Sequence, residues 1–461
     1  MKPSRLFYCI VFTCAVIVGQ SAMLSAQLGG IGGSAIDPMR PPTLSDIPVE
    51  QLPKQPDYQY PSALDIPAGK QPQPQEDKAV AALEQFSLDF YKQLINDKTK
   101  QNENVVCSPW SVAILLTMLH DGTNGKTAEE IQKALRFQGD SKAFEKYLFM
   151  VAFNTRAEIF PGFDSRLTLE TANSFWSQTD YPFHDSYKKL LHDRFLAELF
   201  TADFKGKPAD AVKAINQWCA NQTRDEIKEI VSAEDMNALR RMVILNALYF
   251  KAQWMDVFNV AATKPEPFHH ADGSTSQTAM MNRILHSRYF EADGFRALQL
   301  RYLGNAHMLI LLPDKADGLE NLEKSLTPQM FQQIEGQGKG EMVNVKIPRF
   351  SFDNGEELIP ALQKMGIESV FVSGRGDFSK MTDEQEFFVD FIRQRAVIRV
   401  DEKGTVAAAI TGGAAMGGMP QKVYTFHANH PFLFLIRENT NNSILFLGRV
   451  HHPETVAEES L

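Results

Sequence analysis

An apolar run in the middle of the chain limits the folds that this sequence can adopt. Residues 243–250 read VILNALYF, and all but one of these side chains are apolar. A strand packed on one side only would alternate apolar and polar residues, whereas a near-continuous run predicts a strand covered on both faces. HMLILLP at 307–313 predicts a second such strand. The chain must therefore build a sheet with packed layers on both sides.

Helices are predicted before the first of these strands. The apolar residues Leu83, Phe86, Phe90 and Leu94 recur at helical spacing, and Asp77 is available as the cap of this helix. Ser108 and Pro109 combine a capping hydroxyl with a proline in the first turn. Thr127 and Glu130 have the spacing of a capping box.

Strand patterns dominate the C-terminal half. The apolar residues Val343, Val345 and Ile347 alternate with polar ones, as in a half-covered strand. A short helix with Leu358, Leu362 and Met365 on one face is predicted to end at Gly366. The segments 432–436 and 443–450 read as two strands joined by an Asn-rich turn. Helices and strands mixed without a regular βαβ repeat predict an α+β domain.

The first residues have the pattern of an export signal. Lys2 and Arg5 precede the apolar run 6–19, and small residues at 24–26 offer a cleavage site. The apolar run is too short for a comfortable membrane span. We therefore expect residues 1–26 to be a signal peptide and the mature chain to have no transmembrane span, with an uncleaved anchor as the alternative.

The next segment changes character. Ten prolines fall between Pro38 and Pro74, among polar residues and glycines, and apolar residues follow no period. Such a segment buries too little surface to offset its ordering entropy, so residues 27–77 are predicted to be a disordered or extended tether. We expect the folded domain at 78–455 and a tail at 456–461.

Composition excludes several functions. The net charge is −9 and no long basic run exists, which argues against nucleic-acid binding. Outside the signal, the cysteines are Cys107 and Cys219, which we expect to be buried thiols. The pairs at 269–270 and 451–452 are expected to be exposed histidines rather than metal ligands, and no cofactor is predicted.

The sequence carries no recognisable catalytic signature. It lacks a G-x-S-x-G elbow, an H-E-x-x-H helix and a P-loop. One polar residue stands out instead: Asn246 lies inside the apolar run, where an unpaired amide would cost about 1–3 kcal/mol. Either it bonds locally, or it belongs to a buried polar cluster that holds strands in a defined but separable arrangement.

Six segments together resemble the serpin family in family order, covering about 78–453. They are NVVCSPWSVAILLTMLHDGTNGKTAEEI (104–131), INQWCANQT (215–223), MVILNALYFKAQW (242–254), MVNVKIPRF (342–350), VDEKGTVAAAIT (400–411) and ANHPFLFLIRENTNNSILFLGRV (428–450). The resemblance implies a serpin fold, with helices around a large central β-sheet, further sheets and an exposed reactive-centre loop. It also implies an inhibitor that is not an enzyme.

The resemblance implies a function for residues 402–420, whose side chains are mostly small and uncharged. This segment would be the reactive-centre loop that the target protease attacks. The hinge of the loop would be Glu402, Gly404, Thr405, Ala407, Ala408 and Ala409. On insertion into the sheet, Thr405, Ala407, Ala409 and Thr411 would share one face, and all are small. No proline interrupts 402–419, so each backbone N–H there can join a ladder. A glycine-rich connecting loop without a switching role is the alternative.

Family spacing places the scissile bond at Gly418-Met419, with Met416 as the alternative for the residue before the bond. No Arg or Lys lies between 404 and 421, which disfavours a trypsin-like target. We expect an elastase-, chymotrypsin- or subtilisin-like serine protease, and a cysteine protease is the further option.

Other family roles map onto single residues. Ser108 and Asn246 match the shutter beneath the central sheet, and Trp254 matches the breach, where the loop first enters. Two positions depart from the family pattern. Gln394 stands where the shutter has histidine, which puts pH sensing there in doubt. Val406 replaces a usual hinge glutamate and should face outward on insertion, with little effect on inhibition.

The main hypothesis is therefore an exported, monomeric suicide inhibitor of a serine protease. It would be secreted and extracellular, with the periplasm or a cell surface as options. The first alternative is a non-inhibitory serpin that acts as a carrier or chaperone. The second is an enzyme on an unrecognised fold, and the missing nucleophile–base motif counts against it.

Overall fold

The computed structural model describes residues 74–139, 141–155, 167–179, 181–195, 197–236, 240–405 and 422–453. The helices in this part of the chain are α1 (Pro74–Ile95), α2 (Pro109–Asp121), α3 (Gly125–Ala134), α4 (Ser141–Thr155), α5 (Asp185–Phe195), α6 (Pro208–Gln222), α7 (Leu319–Ser325), α8 (Pro328–Gln337) and α9 (Ile359–Lys364). Short 3₁₀ turns lie at Lys98–Lys100, Val260–Ala262 and Ser369–Phe371.

The strands within the described ranges are β1 (Val105–Cys107), β2 (Leu167–Gln178), β3 (Glu198–Ala202), β4 (Met242–Gln253), β5 (Lys264–His269), β6 (Thr275–Ala292), β7 (Phe295–Arg301), β8 (Ala306–Pro313), β9 (Lys339–Pro348), β10 (Phe350–Glu357), β11 (Phe391–Val400), β12 (Gly404–Thr405), β13 (Val423–His427), β14 (Phe432–Glu438) and β15 (Ile444–Val450). Helices gathered around large sheets confirm the predicted α+β class.

The described strands form two sheets. Sheet I has the order β10-β11-β4-β2-β3, with the short β12 also paired to β4. Sheet II has the order β1-β15-β14-β8-β7-β6-β9-β13, with β5 paired to β6. Both runs that were predicted to be covered on two faces are central strands: β4 lies in the middle of sheet I and β8 within sheet II. The predicted C-terminal pair is the antiparallel hairpin β14–β15.

The two faces of sheet I are covered by different layers. Even-numbered residues of β4 such as Ile244 and Leu248 join the main hydrophobic core. Odd-numbered residues such as Leu245 and Tyr249 pack in a second cluster with Ile215 of α6. The alternation of faces along a strand explains why β4 needs apolar residues at nearly every position.

Two helix-start predictions were wrong and one was confirmed. Ser108 caps α2, with Pro109 in the first turn as predicted. Helix α1 begins at Pro74, so Asp77 lies within its first turn instead of preceding it. The capping box fails because α3 begins at Gly125. Its residues serve a neighbouring turn: Glu130 accepts hydrogen bonds from the backbone of residues 368 and 369, and Thr127 accepts one from the N–H of residue 377.

Both cysteines outside the predicted signal are free and buried, as expected. Burial raises the pKa of Cys219 to about 12 and that of Cys107 further still. Of the described helices, none is long and apolar enough to cross a membrane.

Candidate functional site

The centre of sheet I contains a parallel pair of strands, β4 and β11. These two strands are not the strands of a βαβ unit. Strand β11 pairs with β4 from Phe391 opposite Val243 to Ile398 opposite Phe250. The outer neighbours β10 and β2 run antiparallel to this pair. A strand placed between β4 and β11 with the opposite direction would convert one parallel ladder into two antiparallel ones.

Such a strand has already begun at one end of the pair. After β11 the chain turns through Asp401 and returns as β12, antiparallel to β4. Gly404 pairs with Gln253, and Thr405 pairs with Ala252. β12 therefore pairs with the edge of β4 that β2 leaves open, two residues beyond the last β4 residue paired with β11.

A buried polar cluster holds the parallel pair together. The Gln394 side-chain amide on β11 donates to Oδ1 of Asn246 on β4 at 2.6 Å, and the two residues are register partners. Gln394 also exchanges bonds with the backbone of Ser108, accepting from its N–H at 2.8 Å and donating to its carbonyl at 3.2 Å. The Asn246 amide donates to Oγ of Ser111 and Oδ1 of Asn173, each at 2.6 Å.

The cluster includes two residues that the sequence did not single out. Asn173 lies on β2 opposite Asn246, so the cluster spans three strands of sheet I. Ser111 supplies the hydroxyl contact to Asn246, whereas the Ser108 hydroxyl accepts from the Ser111 N–H as a helix cap. Ser111 is a polar residue at the start of the apolar run 110–119, a signal like the one that identified Asn246, whereas Asn173 lies among other polar residues and has no such signal.

The hinge begins at an ion pair whose carboxylate is buried. The Glu402 side chain is 4% exposed and accepts three bonds from the guanidinium of Arg349, at 2.5 and 2.9 Å to Oε1 and at 3.0 Å to Oε2. Thr263 donates a fourth, to Oε1, at 2.5 Å. Burial by itself would raise the pKa of Glu402, but these hydrogen bonds and the positive charge of Arg349 outweigh it and lower the pKa below the ordinary value.

Trp254 follows β4 directly and fastens the turn that enters β12. Its indole N–H donates to the Asp401 carbonyl at 2.9 Å, and its backbone N–H donates to the Lys403 carbonyl at 3.0 Å. The indole is buried and stacks on Tyr302, with ring centroids 4.4 Å apart. The residue predicted to mark the entry point therefore contacts the hinge backbone directly.

Glycine is required at position 404 for two reasons, the backbone conformation there and the lack of room for a side chain. Its φ is +137°, a region that side chains with Cβ rarely adopt. An added Cβ would lie 2.2 Å from the Ala252 carbonyl oxygen. The glycine lets the chain pass tightly against the end of β4.

The remaining site predictions lie outside the described residues. These are Ala407, Ala408 and Ala409 of the hinge and Met416, Gly418 and Met419 at the scissile bond. The roles assigned to Ser108, Asn246, Gln394, Trp254, Glu402, Gly404 and Thr405 remain predictions, although the structure brings the first three together at the polar cluster and the others together at the entry to β12.

No group of three or more potential metal ligands occurs in the ranges that the structure describes. The expectation of exposed histidines was wrong for His451, which is buried, and burial lowers its pKa to about 3. His270 donates from Nδ1 to the His451 carbonyl at 3.2 Å, and its ring lies 4.9 Å from that of His452. These contacts support a structural role.

Comparison with known proteins places this geometry in one family. A family model described as Serpin (serine protease inhibitor) matches residues 81–453. An uncharacterized serpin-like protein of Thermococcus kodakarensis is 34% identical over 387 residues, 82% of this chain and 87% of that protein. The leukocyte elastase inhibitor of Equus caballus is 32% identical over 378 residues, 80% and 97% of the two chains.

A solved structure agrees with these relatives. The crystal structure of Serpin48, a highly specific serpin of the insect Tenebrio molitor, superimposes with a TM-score of 0.72 at 29% identity and covers 83% of this chain and 100% of that one. The chain therefore belongs to the serpin family of serine protease inhibitors.

Proposed function

We propose that this chain inhibits a serine protease as a single-use suicide substrate. The observation that carries the proposal is the direction and register of β12 at the end of the β4–β11 pair. Separation of these two strands would open a slot for the residues that follow Thr405. The mechanism is the one for which the family is known, and the local geometry is compatible with it.

Extending the register of β12 gives each following residue a partner on β4. Ala407, Ala409 and Thr411 would come opposite Phe250, Leu248 and Asn246, on the face of the main core. The intervening Val406, Ala408 and Ile410 would come opposite Lys251, Tyr249 and Ala247, on the face covered by α6. Small residues at the core-facing positions would enter a packed layer with little displacement of their neighbours.

Insertion would be favourable because it adds one ladder of backbone hydrogen bonds to sheet I. The parallel ladder between β4 and β11 would be lost, and two antiparallel ladders would replace it. Each hydrogen bond gained contributes about 1 kcal/mol net. The polar cluster opposes this change, because the Gln394–Asn246 bond must break first. The expelled form would then be a kinetic trap until cleavage frees the loop.

The covalent step uses the nucleophile of the target. The serine oxygen of the protease attacks the carbonyl carbon of Gly418, the C–N bond to Met419 breaks, and the new amino terminus leaves with the proton. The acyl-enzyme ester would then travel with the inserting strand. Thirteen residues from 405 to 417 would span about 43 Å at 3.3 Å each. That displacement would carry the protease to the opposite end of sheet I.

The finer assignments rest on the sequence. Small and methionine residues around 416–419 support an elastase-, chymotrypsin- or subtilisin-like target. The N-terminal pattern supports export, with the proline-rich residues 27–77 as a tether at the start of the mature chain. We assign the active form as a secreted monomer.

The test is covalent trapping. The protein without residues 1–26 is mixed in turn with pancreatic elastase, chymotrypsin, subtilisin and trypsin. The proposal predicts a band at the summed mass on a denaturing gel with one of the first three, and a released peptide that begins at Met419 by mass spectrometry. Cleavage near residue 418 without a complex, and without a rise in the Tm of the cleaved protein, would instead indicate a non-inhibitory binding protein.

A further inference from the structure

Among the described strands, β13 pairs with one neighbour only and is the last strand in the order of sheet II. It runs parallel to β9, and its final residue, His427, is the register partner of Lys346. One further bond extends the contact, because the Ala428 N–H donates to the Lys346 carbonyl at 2.9 Å. A short strand at a sheet edge can open locally while the rest of the sheet stays folded.

Three histidines lie at the end of β13. The His427 side chain is 29% exposed, and His430, three residues further on, is buried. The backbone N–H of His269 on β5 donates to the Asn429 carbonyl at 2.8 Å, which fixes a third histidine beside the other two. The strand end therefore carries several groups that can gain a proton in mildly acidic solution.

The permanent charges around these rings already balance one another. Oε1 of Glu266 pairs with Nζ of Lys346 at 2.6 Å, and Oε2 of the same carboxylate lies 3.3 Å from Nε2 of His427. Arg296 of β7 interacts electrostatically with the histidines at 427 and 430, and it pairs with Asp314 at 3.6 Å. Two carboxylates and two permanent cations cancel, so an imidazole that gains a proton adds positive charge without a further carboxylate among the described residues nearby.

The bound strand therefore disfavours protonation of these rings. Burial is the main cause of a lowered pKa at both His427 and His430. Glu266 opposes the lowering at His427, but the surrounding positive charges add to it. Nε2 of His427 is buried and has no hydrogen-bond partner in the part of the chain that the structure describes. Because the pKa is lower in the folded state, the stabilising effect of each ring is present above the ordinary value and fades as pH falls.

We propose that His427 and His430 form a pH switch that releases β13 and the residues after it from β9 in mildly acidic solution. Release exposes both rings to water, where they take up protons at their ordinary pKa. Because β13 follows the reactive-centre loop, its release would free one of the two anchors of that loop. This consequence for trapping rests on the proposed inhibitory function, whereas the switch itself does not.

The test is amide hydrogen exchange of a peptide that covers residues 424–431. It is measured on the protein without residues 1–26 at pH 7.5 and 5.5, and corrected for the intrinsic pH dependence of exchange. A ring that stays neutral while β13 is bound shifts the opening equilibrium by about tenfold over this range. We expect the protection of wild-type β13 to fall at least about tenfold. In the double variant His427→Gln with His430→Asn, it should change less than about twofold.

The control is His192→Gln, because the His192 side chain on α5 is 50% exposed and lies next to Asp193 rather than in this cluster. It should exchange like the wild type. His427→Gln alone, at a partly exposed position, serves as a second variant if the double variant does not fold, and it should remove about half of the fall on a logarithmic scale. Equal corrected protection at the two pH values in the wild type, or the same fall in the histidine variants, would overturn the switch. Exchange decides the proposal even if no protease is trapped, so failure of the proposed function and failure of the switch are distinguishable.

Discussion

The side chain of Gln394 donates to Asn246 at 2.6 Å across the one parallel contact that loop insertion must open. Both side chains are fully buried, and Asn246 continues the contact to Asn173 on the next strand. The bond therefore stabilises the resting state of the protein. It also contributes to the barrier for the conformational change, because it must break before β4 and β11 separate. An inserted strand would place Thr411, by register, between the two partners.

Replacing Gln394 by histidine should make stability depend on pH. A buried imidazole has a folded-state pKa below that of the unfolded chain, so its stabilising effect is present above the unfolded pKa and lost as pH falls. Between pH 7.5 and 5.5, the free energy of unfolding of Gln394→His should fall by about 1 kcal/mol more than that of the wild type. Urea unfolding at both pH values measures this. Gln394→Met is the control, since it should be destabilised equally at both. A wild-type pH slope in the histidine variant would contradict the burial argument.

The Glu402–Arg349 pair should respond unequally to loss of either partner. Arg349→Met leaves a carboxylate that is 4% exposed without its cation, and should cost about 3–5 kcal/mol. Glu402→Gln leaves a guanidinium that is 35% exposed and can be rehydrated, and should cost about 1–2 kcal/mol. Because the pKa of Glu402 is lowered, its stabilising effect should fade as pH falls through its folded-state value. Urea unfolding midpoints show which of the two variants is less stable. If Glu402→Gln were less stable than Arg349→Met, this account of the hinge would be refuted.

Neighbouring residues of the hinge should tolerate charge differently. Thr405 pairs with Ala252, which is fully buried, so Thr405→Glu should block insertion and convert the inhibitor into a substrate. By register Val406 would come opposite the partly exposed Lys251, so Val406→Glu should still trap. The measurement is the number of inhibitor molecules consumed per trapped protease, which should stay at the wild-type value for Val406→Glu and rise well above it for Thr405→Glu, because the two side chains take opposite faces. Equal values would contradict the register.

A buried histidine should contribute to acid sensitivity. Burial lowers the pKa of His307 to about 4, and its Nδ1 lies 2.7 Å from Oδ1 of Asn439. Its folded-state pKa lies below the unfolded one, so stability should be full above about pH 6.5 and fall toward pH 4. Between pH 7.5 and 5, the free energy of unfolding of His307→Gln should fall by about 2 kcal/mol less than that of the wild type. An unchanged pH slope in that variant would show that the pKa of His307 is the same in the folded and unfolded states.

Local periodicity was enough to predict the class of fold and the strands with the strongest patterns. Asn246 stood out because an amide in an apolar run needs a partner. The identity of that partner depends on strand order: nothing near residue 246 reveals that residues 173 and 394 lie beside it. Family resemblance supplied Gln394, but Asn173 required the register of β2.

The failed capping box has the same origin. Thr127 and Glu130 have the right spacing, but their side chains bond to residues 368–377, far along the chain. The Arg349–Glu402 pair was also hidden, because 53 residues separate its members. Spacing reports contacts within one element, whereas contacts between elements depend on topology.

The most direct test of the account is a reversible lock on the β4–β11 pair. Leu248 and Ala396 are buried register partners across it, and neighbouring strands lie within the Cα range of a disulfide. Leu248→Cys with Ala396→Cys should be cleaved without trapping when oxidised and should trap when reduced. Ala172→Cys with Ala247→Cys bridges β2 and β4, which insertion does not separate, and should trap in both states. Trapping by the oxidised β4–β11 lock would contradict strand insertion between β4 and β11.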